Sequence, residues 1–442
     1  MRLAITALAA LGMFCSLNLL RAEDAAAESE KEEAAAKQPA IATAAPAANK
    51  PKNIDDQATH QQETVIEVNT GDREQLQVNA FCLSPNGEIL AACGDGPGEV
   101  RVLSADGQFI RAWEVDIKPE AINTSKSGEV LVGGSGKLYR FSIEGKQLTT
   151  GESPHAVAVK ENAAEFRKTA IANLERMQGF GRGRGLESQV EVYENFIKQL
   201  EAKKDRSKQE ELALESIKSR LETMKEQLAA QQAEGEEEEE KPKFTEEQIQ
   251  QQVANLTQRK MRIASISTDG GHVYIATGSL KGYTYDVWKL KPDFSGGEIV
   301  VTGLRGCCGQ MDVQAGKDGV YVAENSRHRV VRYDADGQEL TAWGKRDRTG
   351  VEGFTSCCNP MNVCFNSNGD VYTAESSSGR IKRFTAEGEF VEFVGDVKLV
   401  PGCKNVSIAV SNDNDRVYML DITRNHIVLM KRKAAETENT AG

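Results

Sequence analysis

Val320-Tyr-Val-Ala-Glu-Asn-Ser-Arg-His-Arg-Val-Val-Arg-Tyr-Asp-Ala-Asp-Gly337 returns, recast, as Val371-Tyr-Thr-Ala-Glu-Ser-Ser-Ser-Gly-Arg-Ile-Lys-Arg-Phe-Thr-Ala-Glu-Gly388. In each copy a Val-Tyr strand runs to an acidic residue, a polar bend follows, and a second strand ends in Asp-Gly or Glu-Gly. Glycine at that point supplies the positive φ of a tight hairpin, so each stretch reads as two antiparallel strands about to turn into a third. A further copy, Arg416-Val-Tyr-Met-Leu-Asp-Ile-Thr-Arg-Asn-His-Ile-Val-Leu-Met430, keeps the frame with different side chains.

Outward from these copies the frame extends over most of the chain. An apolar strand precedes each Val-Tyr strand across a turn such as Ser84-Pro85-Asn86-Gly87 or Asn366-Ser367-Asn368-Gly369, and Asp106-Gly107 and Glu144-Gly145 close earlier copies. The units run Asn79 to Trp113, Glu120 to Leu148, a split unit from His155 to Lys160 that resumes at Arg262, Gln310 to Trp343, Pro360 to Val394, and Lys404 to Lys431. Residues 78–432 without 161–260 give six units of about 42 residues, the period of four-stranded propeller blades. The fold class is therefore all-β, a six-bladed β-propeller with an inserted α-helical or coiled-coil segment. The last unit shows only three strands, and the stretch Glu63 to Thr70 is expected to supply the missing outer one, which would lock the ring and remove an open edge.

The remaining segments divide by composition. Residues 1–22 read as an export signal, with Arg2 ahead of an apolar run from Leu3 to Leu20 and a cut after Ala22. Uncleaved, the same run would be a membrane anchor. Residues 23–61 are an Ala/Glu/Pro-rich linker too poor in apolar side chains to order, 62–160 and 261–433 are the two parts of the propeller, and 434–442 are a polar tail. Within 161–260 the apolar stripes Val190, Tyr193, Ile197, Leu200 and Leu214, Ile217, Leu221, Met224, Leu228 predict a helical hairpin or short coiled coil. Thr245 and Gln248 have the spacing of a capping box. This arm is a candidate surface for self-association or for packing on its own propeller. The net charge of −12 over 442 residues is concentrated in the leader and in Glu236 to Glu240, which argues against nucleic acid as a partner.

The cysteines share the repeat's register. Cys307-Cys308-Gly-Gln310-Met-Asp312, Cys357-Cys358-Asn-Pro-Met-Asn362-Val-Cys364 and Cys403-Lys404-Asn405-Val-Ser407 each open a unit. In a propeller these positions fall at one channel mouth, so Cys307, Cys308, Cys357, Cys358 and Cys403 are expected to gather there. Export favours disulfides between blades, four thiolates would suit zinc, copper or an iron–sulfur cluster, and small buried residues are the plain alternative. Cys82, Cys93 and Cys364 read as core. Gln310, Asp312, Asn362, Asn405 and Ser407, with Arg305 and Lys404 at the rim, are candidates to meet a small ligand. No Cys-x-x-Cys-His is present, and the absence of a nucleophile–base pattern or phosphate loop favours a binding module over an enzyme.

The quoted copies, with Asn-Ser-Arg327-His328-Arg329 and Arg424-Asn425-His426-Ile, resemble NHL repeats, and the Cys-Cys openings are similar to those of exported bacterial NHL-like proteins. The resemblance implies a periplasmic or secreted propeller that binds a protein or a small molecule at its channel face. Some NHL-like propellers are lyases or lactonases with a metal in the channel, and of the Asp, Glu and Asn cluster that such a site needs, only Asp312, Asn362 and Asn405 come near here.

Overall fold

The computed structural model describes residues 57–434 except 72, 182, 183, 203–206, 235–243, 349, 357 and 401. The expected export signal, residues 23–56 of the linker, the end of the tail and Cys357 lie outside the described residues. Among the described residues no helix is long and apolar enough to cross a membrane.

Strands are built from short apolar runs such as Ile89–Cys93 and the β-branched Val273–Gly278, whose residues are almost all buried. They assemble into six four-stranded antiparallel sheets, each built in chain order from the inner strand outward except the last. The inner strands are Val78–Leu83, Ala121–Thr124, Ile263–Thr268, Asp312–Gly316, Asn362–Phe365 and Ile408–Val410, which open blades one to six. Each inner strand touches the next, and the first touches the sixth, so the ring is closed.

Closure comes from the N-terminal side, as expected. His60–Glu67 pairs antiparallel with His426–Arg432 and supplies the outer strand of blade six. The strand begins at His60, inside the stretch read as linker, because Ile66 is buried against Leu420 and Ile427. Six apolar clusters fill the six seams between blades. A fully buried Val, Leu or Tyr in such a seam stabilises the ring by about 1.5–3 kcal/mol, and the seams together hold the blades in register.

The third unit is not split, which corrects the sequence reading. His155 to Lys160 lies in helix α1 (Pro154–Glu161), and blade three forms wholly after the insertion, from Ile263 to Leu304. Ala-Val-Ala-Val suits a strand by its alternation. Pro154, however, stands at the first helical turn, where its missing amide costs nothing, and the turn of helix buries His155, Ala156 and Val159 together. Helices α2 (Ala163–Gly181), α3 (Arg184–Ala202), α4 (Lys208–Glu234) and α5 (Glu246–Lys260) follow. α3 packs on α4 through Ile197, Leu200 and Leu214, and α2 on α5. The capping box at Thr245 and Gln248 is formed.

Candidate functional site

Three loops lead from the outer strand of one blade to the inner strand of the next around blades four, five and six. Each is fastened by a carboxylate at the end of a second strand. Glu324 accepts the Arg305 amide at 3.0 Å, Glu375 the Thr355 amide at 2.8 Å and Asp421 the Val400 amide at 3.2 Å. All three acids are buried. Glu324 is neutralised by Arg327 and Arg329, Glu375 by the fully buried Lys382, and Asp421 by Arg424. Each anchored amide lies two or three residues ahead of Cys307, Cys357 or Cys403.

In the first loop, Asn325 accepts the Cys307 amide at 2.8 Å and donates to Gln310 O at 2.9 Å. The Gln310 amide closes on Cys307 O, and Cys308 and Gly309 both take positive φ, +57° and +74°, as a type I′ turn requires. That turn brings the Sγ atoms of Cys307 and Cys308 to 3.4 Å of each other. Cys358, from the loop into blade five, places its Sγ 3.7 Å from that of Cys308. The three sulfurs lie within 4.8 Å of one another. A disulfide bond is about 2.05 Å long, so both contacts are between thiols that are not bonded to each other.

The surroundings are uneven. Cys358 is 1% exposed, in the apolar seam between blades five and six with Met361 and Val397, whereas Cys308 faces solvent. Burial, the Cys307 thiol and the charge of Cys403 push the Cys308 thiol up to about 12, although Cys358 acts the other way. An uncomplexed thiol so raised is a poor nucleophile at neutral pH. Two glycines make the loop fit. A Cβ on Gly306 would stand 2.5 Å from the Tyr285 ring, and one on Gly309 would stand 2.5 Å from the Arg262 guanidinium. With its amide turned so that both ends are satisfied, Asn405 accepts from Arg262 through its side-chain oxygen and donates to Cys308 O at 3.2 Å through its nitrogen.

Cys307, Cys308 and Cys358 come together, Cys403 lies on the third loop outside that trio, and Cys357 is outside the described residues. Cys93 is core, as read, while Cys82 and Cys364 pack partly into seams and also line the channel. Burial raises all three thiols, that of Cys93 to about 12.

The polar residues proposed for a ligand are largely occupied. Gln310 spans from blade four to the loop of blade six, donating to Val406 O at 2.8 Å and accepting its amide at 3.1 Å. Asp312 accepts from Ser265 at 2.7 Å, from the Val363 amide at 2.8 Å and from Gln314 at 3.4 Å. Asn362 accepts the Ile408 amide at 2.9 Å. These side chains staple neighbouring inner strands, and burial pushes Asp312 up to about 6. Ser407 is buried at the channel wall, Lys404 reaches back to Val400 O, and Arg305 stands exposed at the rim. The channel itself encloses a cavity of about 400 Å³ bounded by all six inner strands. Arg262, Tyr285 and Asn325 were not among the expected site residues; blade three carries no cysteine to draw attention to its own loop.

Fold and site together define a six-bladed β-propeller with a thiol trio on the loops that enter blades four and five. No protein-family model matches this sequence, and neither does any curated protein. Solved structures similar to it include the WD40 propeller domain of Doa1 (TM-score 0.41, 9% identity, covering 85% of this chain and 98% of that one). Virginiamycin B lyase from Staphylococcus aureus gives 0.40 at 11% identity, over 84% and 99%, and the gluconolactonase XC5397 from Xanthomonas campestris gives 0.39 at 8%, over 84% and 99%.

Proposed function

We propose that this protein is an exported NHL-like propeller that acts as a binding platform and holds a soft metal ion through thiolates at one mouth of its channel. The observation that carries the reading is the trio itself: sulfurs of Cys307, Cys308 and Cys358, from two loops, at 3.4 and 3.7 Å. Thiolates bound tetrahedrally to zinc at about 2.3 Å stand about 3.8 Å apart, so the spacing suits a shared ion. An all-sulfur set selects zinc, copper(I) or iron–sulfur over calcium or magnesium. The buried carboxylates and Asn325 support it further, because they fix both donor loops before any ion arrives, and loop ordering need not be supplied by binding.

A channel-metal lyase or hydrolase has less support. Asp312 and Asn362 already accept hydrogen bonds across blade seams. The exposed face around the mouth, with Arg305 and Lys404 at its rim, is the surface we assign to a protein or small-molecule partner, and the helical arm remains a candidate for self-association. Export rests on the N-terminal segment, and N-terminal sequencing of the mature chain tests it.

The decisive experiment is elemental analysis of protein purified without chelator, beside Cys308→Ser, Cys358→Ser and Cys93→Ala. About one soft metal ion per chain, lost in the first two variants and kept in the third, is expected. Metal-free protein whose Cys307, Cys308 and Cys358 map to disulfides would overturn the reading.

A further inference from the structure

The two ends of the channel cavity are built differently. Because the blades repeat one frame, all six inner strands run the same way, from a loop at the cysteine mouth to a hairpin turn at the far mouth. At the cysteine mouth, hydrogen bonds join blades that are not neighbours. Gln310 of blade four reaches past blade five to bond the Val406 carbonyl and amide, in the loop of blade six, at 2.8 and 3.1 Å. Asn405, in the same loop, meets Arg262 of blade three, directly across the ring, and Cys308 O in the loop of blade four. Bonds between such blades cross the opening, so this mouth is barred. A recess of about 360 Å³ on its outer side shares Asn79, Glu120 and Asn405 with the channel cavity, which puts those residues between the two.

The far mouth is framed by the turns that follow the inner strands. Ser84, Ser125 and Ser411 hold these turns by accepting backbone amides at 3.0 Å, and Lys126 stands exposed beside them. Further in, Cys82, Asn123, Ser267, Gln314, Cys364 and Ala409 share one register, each pairing with the residue after the leading Val or Ile of its second strand. All six line the cavity. Blades two to four supply amides and a hydroxyl that are drawn together: Asn123 and Ser267 both donate to Gln314 Oε1, at 2.9 and 3.3 Å. Blades five, six and one supply Cys364, Ala409 and Cys82, so the opposite arc is thiol and methyl, and burial keeps both thiols protonated. At the barred end, Asp312 accepts the Val363 amide and Glu120 the Ser135 and Ile263 amides, while burial raises both carboxyls.

A molecule in this space meets hydrogen-bonding groups on one side and sulfur and methyl groups on the other. A charged group would give up its water for neutral partners, at a cost. A hydroxyl both donates and accepts, and a ring with hydroxyls at its rim has C–H faces for the second arc. The volume of about 400 Å³ is that of a small-molecule pocket.

We infer that the channel is a binding pocket for a neutral, hydroxyl-bearing ring molecule, a pyranoside being the simplest, entered from the mouth opposite the cysteines. The inference uses none of Cys307, Cys308 or Cys358 and is independent of the thiolate-metal reading above.

The test treats the whole mature chain, reduced, with methyl methanethiosulfonate and maps the modified cysteines by peptide mass, with urea-unfolded protein as the fully reactive reference. Cys82 and Cys364 should react, and the fully buried Cys93 should not. Lys126→Trp at the far mouth should slow that reaction about tenfold, and Arg305→Trp at the cysteine mouth should leave it as in wild type, the fold of both being checked by circular dichroism. Saturation-transfer NMR with the methyl glycosides of glucose, galactose, mannose and N-acetylglucosamine should find at least one that binds and protects Cys364, while glucuronate and glucosamine bind at least tenfold more weakly. Unreactive Cys82 and Cys364, or a reaction slowed by Arg305→Trp instead of Lys126→Trp, would overturn the entrance. Binding of none of the glycosides, or equal binding of the charged sugars, would overturn the ligand class. Metal content of the same samples reports separately on the thiolate centre.

Discussion

Blades four and six end their second strands on Glu324 and Asp421, and in blade five Glu375 directly follows the strand's last residue, Ala374, where blades one to three end theirs on Cys93, Gly134 and Gly278. The backbone frame is the same on both sides of the ring. What changes is how the next inner strand is delivered. At Gly134 the incoming loop lies directly on the strand: a Cβ there would stand 2.0 Å from Lys118 O, so a longer side chain has no room. At Glu324 the loop is held off by the length of a carboxylate that grips Arg305 N. Blades one and two use the reverse arrangement, with the head of the inner strand reaching outward: Asn79 donates to Gly94 O and Pro119 O, and Glu120 accepts the Ser135 and Ile263 amides. The comparison teaches that the acid makes space for a wider loop, and in this chain each widened loop carries cysteine.

The strongest blow to that contrast is Glu375→Ala. Removing the carboxylate leaves Lys382 buried without its charge partner, and breaking such a pair costs about 3–5 kcal/mol. Urea unfolding should show that loss, with Glu375→Gln falling between it and wild type. An unchanged midpoint would mean that the acids do not hold their loops.

Asp312 carries the asymmetry into the channel, where it joins blades three, four and five. Its folded pKa of about 6 lies above the unfolded 3.8, so the folded state holds the proton more tightly. Its contribution to stability is therefore greatest below about pH 4 and is lost as pH rises to 6, by roughly 3 kcal/mol. Asp312→Asn should remove that component, read as the difference between variant and wild-type urea midpoints from pH 4 to 7. Parallel pH profiles would refute it.

On the other half of the ring, Gly134→Ala should cost about 2 kcal/mol, since its Cβ drives backbone against backbone. Gly128→Ala, a positive-φ turn with nothing within 4 Å of the new Cβ, should cost less. Equal losses would remove the packing argument for blade two. A similarly small effect is expected at Gly309→Ala: positive φ disfavours alanine by about 1 kcal/mol, and the flexible Arg262 can move aside. That change should loosen metal binding more than it lowers the unfolding midpoint, as a metal titration of the folded variant would show.

Much of this architecture was readable before any coordinates, for reasons that lie in particular residues. Turn glycines and Val-Tyr strands report local backbone geometry, and the closing strand was readable because a three-stranded last blade leaves an edge. Register nominated Cys307, Cys308, Cys357, Cys358 and Cys403 together, and of these the structure brings the sulfurs of Cys307, Cys308 and Cys358 within 4.8 Å of one another. The helix at Pro154 was missed because a short Ala-Val run satisfies strand and helix periodicity alike. Whether Gln310, Asp312 and Asn362 face a ligand or one another was not readable either. Their partners, Val406, Val363 and Ile408, belong to other blades and lie about as far away in sequence as one or two repeats. Arg262 and Tyr285 reach the cysteine loop from blade three through space, with no motif to announce them.

The most direct test of the central claim is anomalous diffraction from crystals grown without added metal or chelator, measured across the zinc and copper edges. The account predicts one anomalous peak at a metal edge, between the sulfurs of Cys307, Cys308 and Cys358. Density joining two of those sulfurs as a disulfide, with no peak between them, would contradict it.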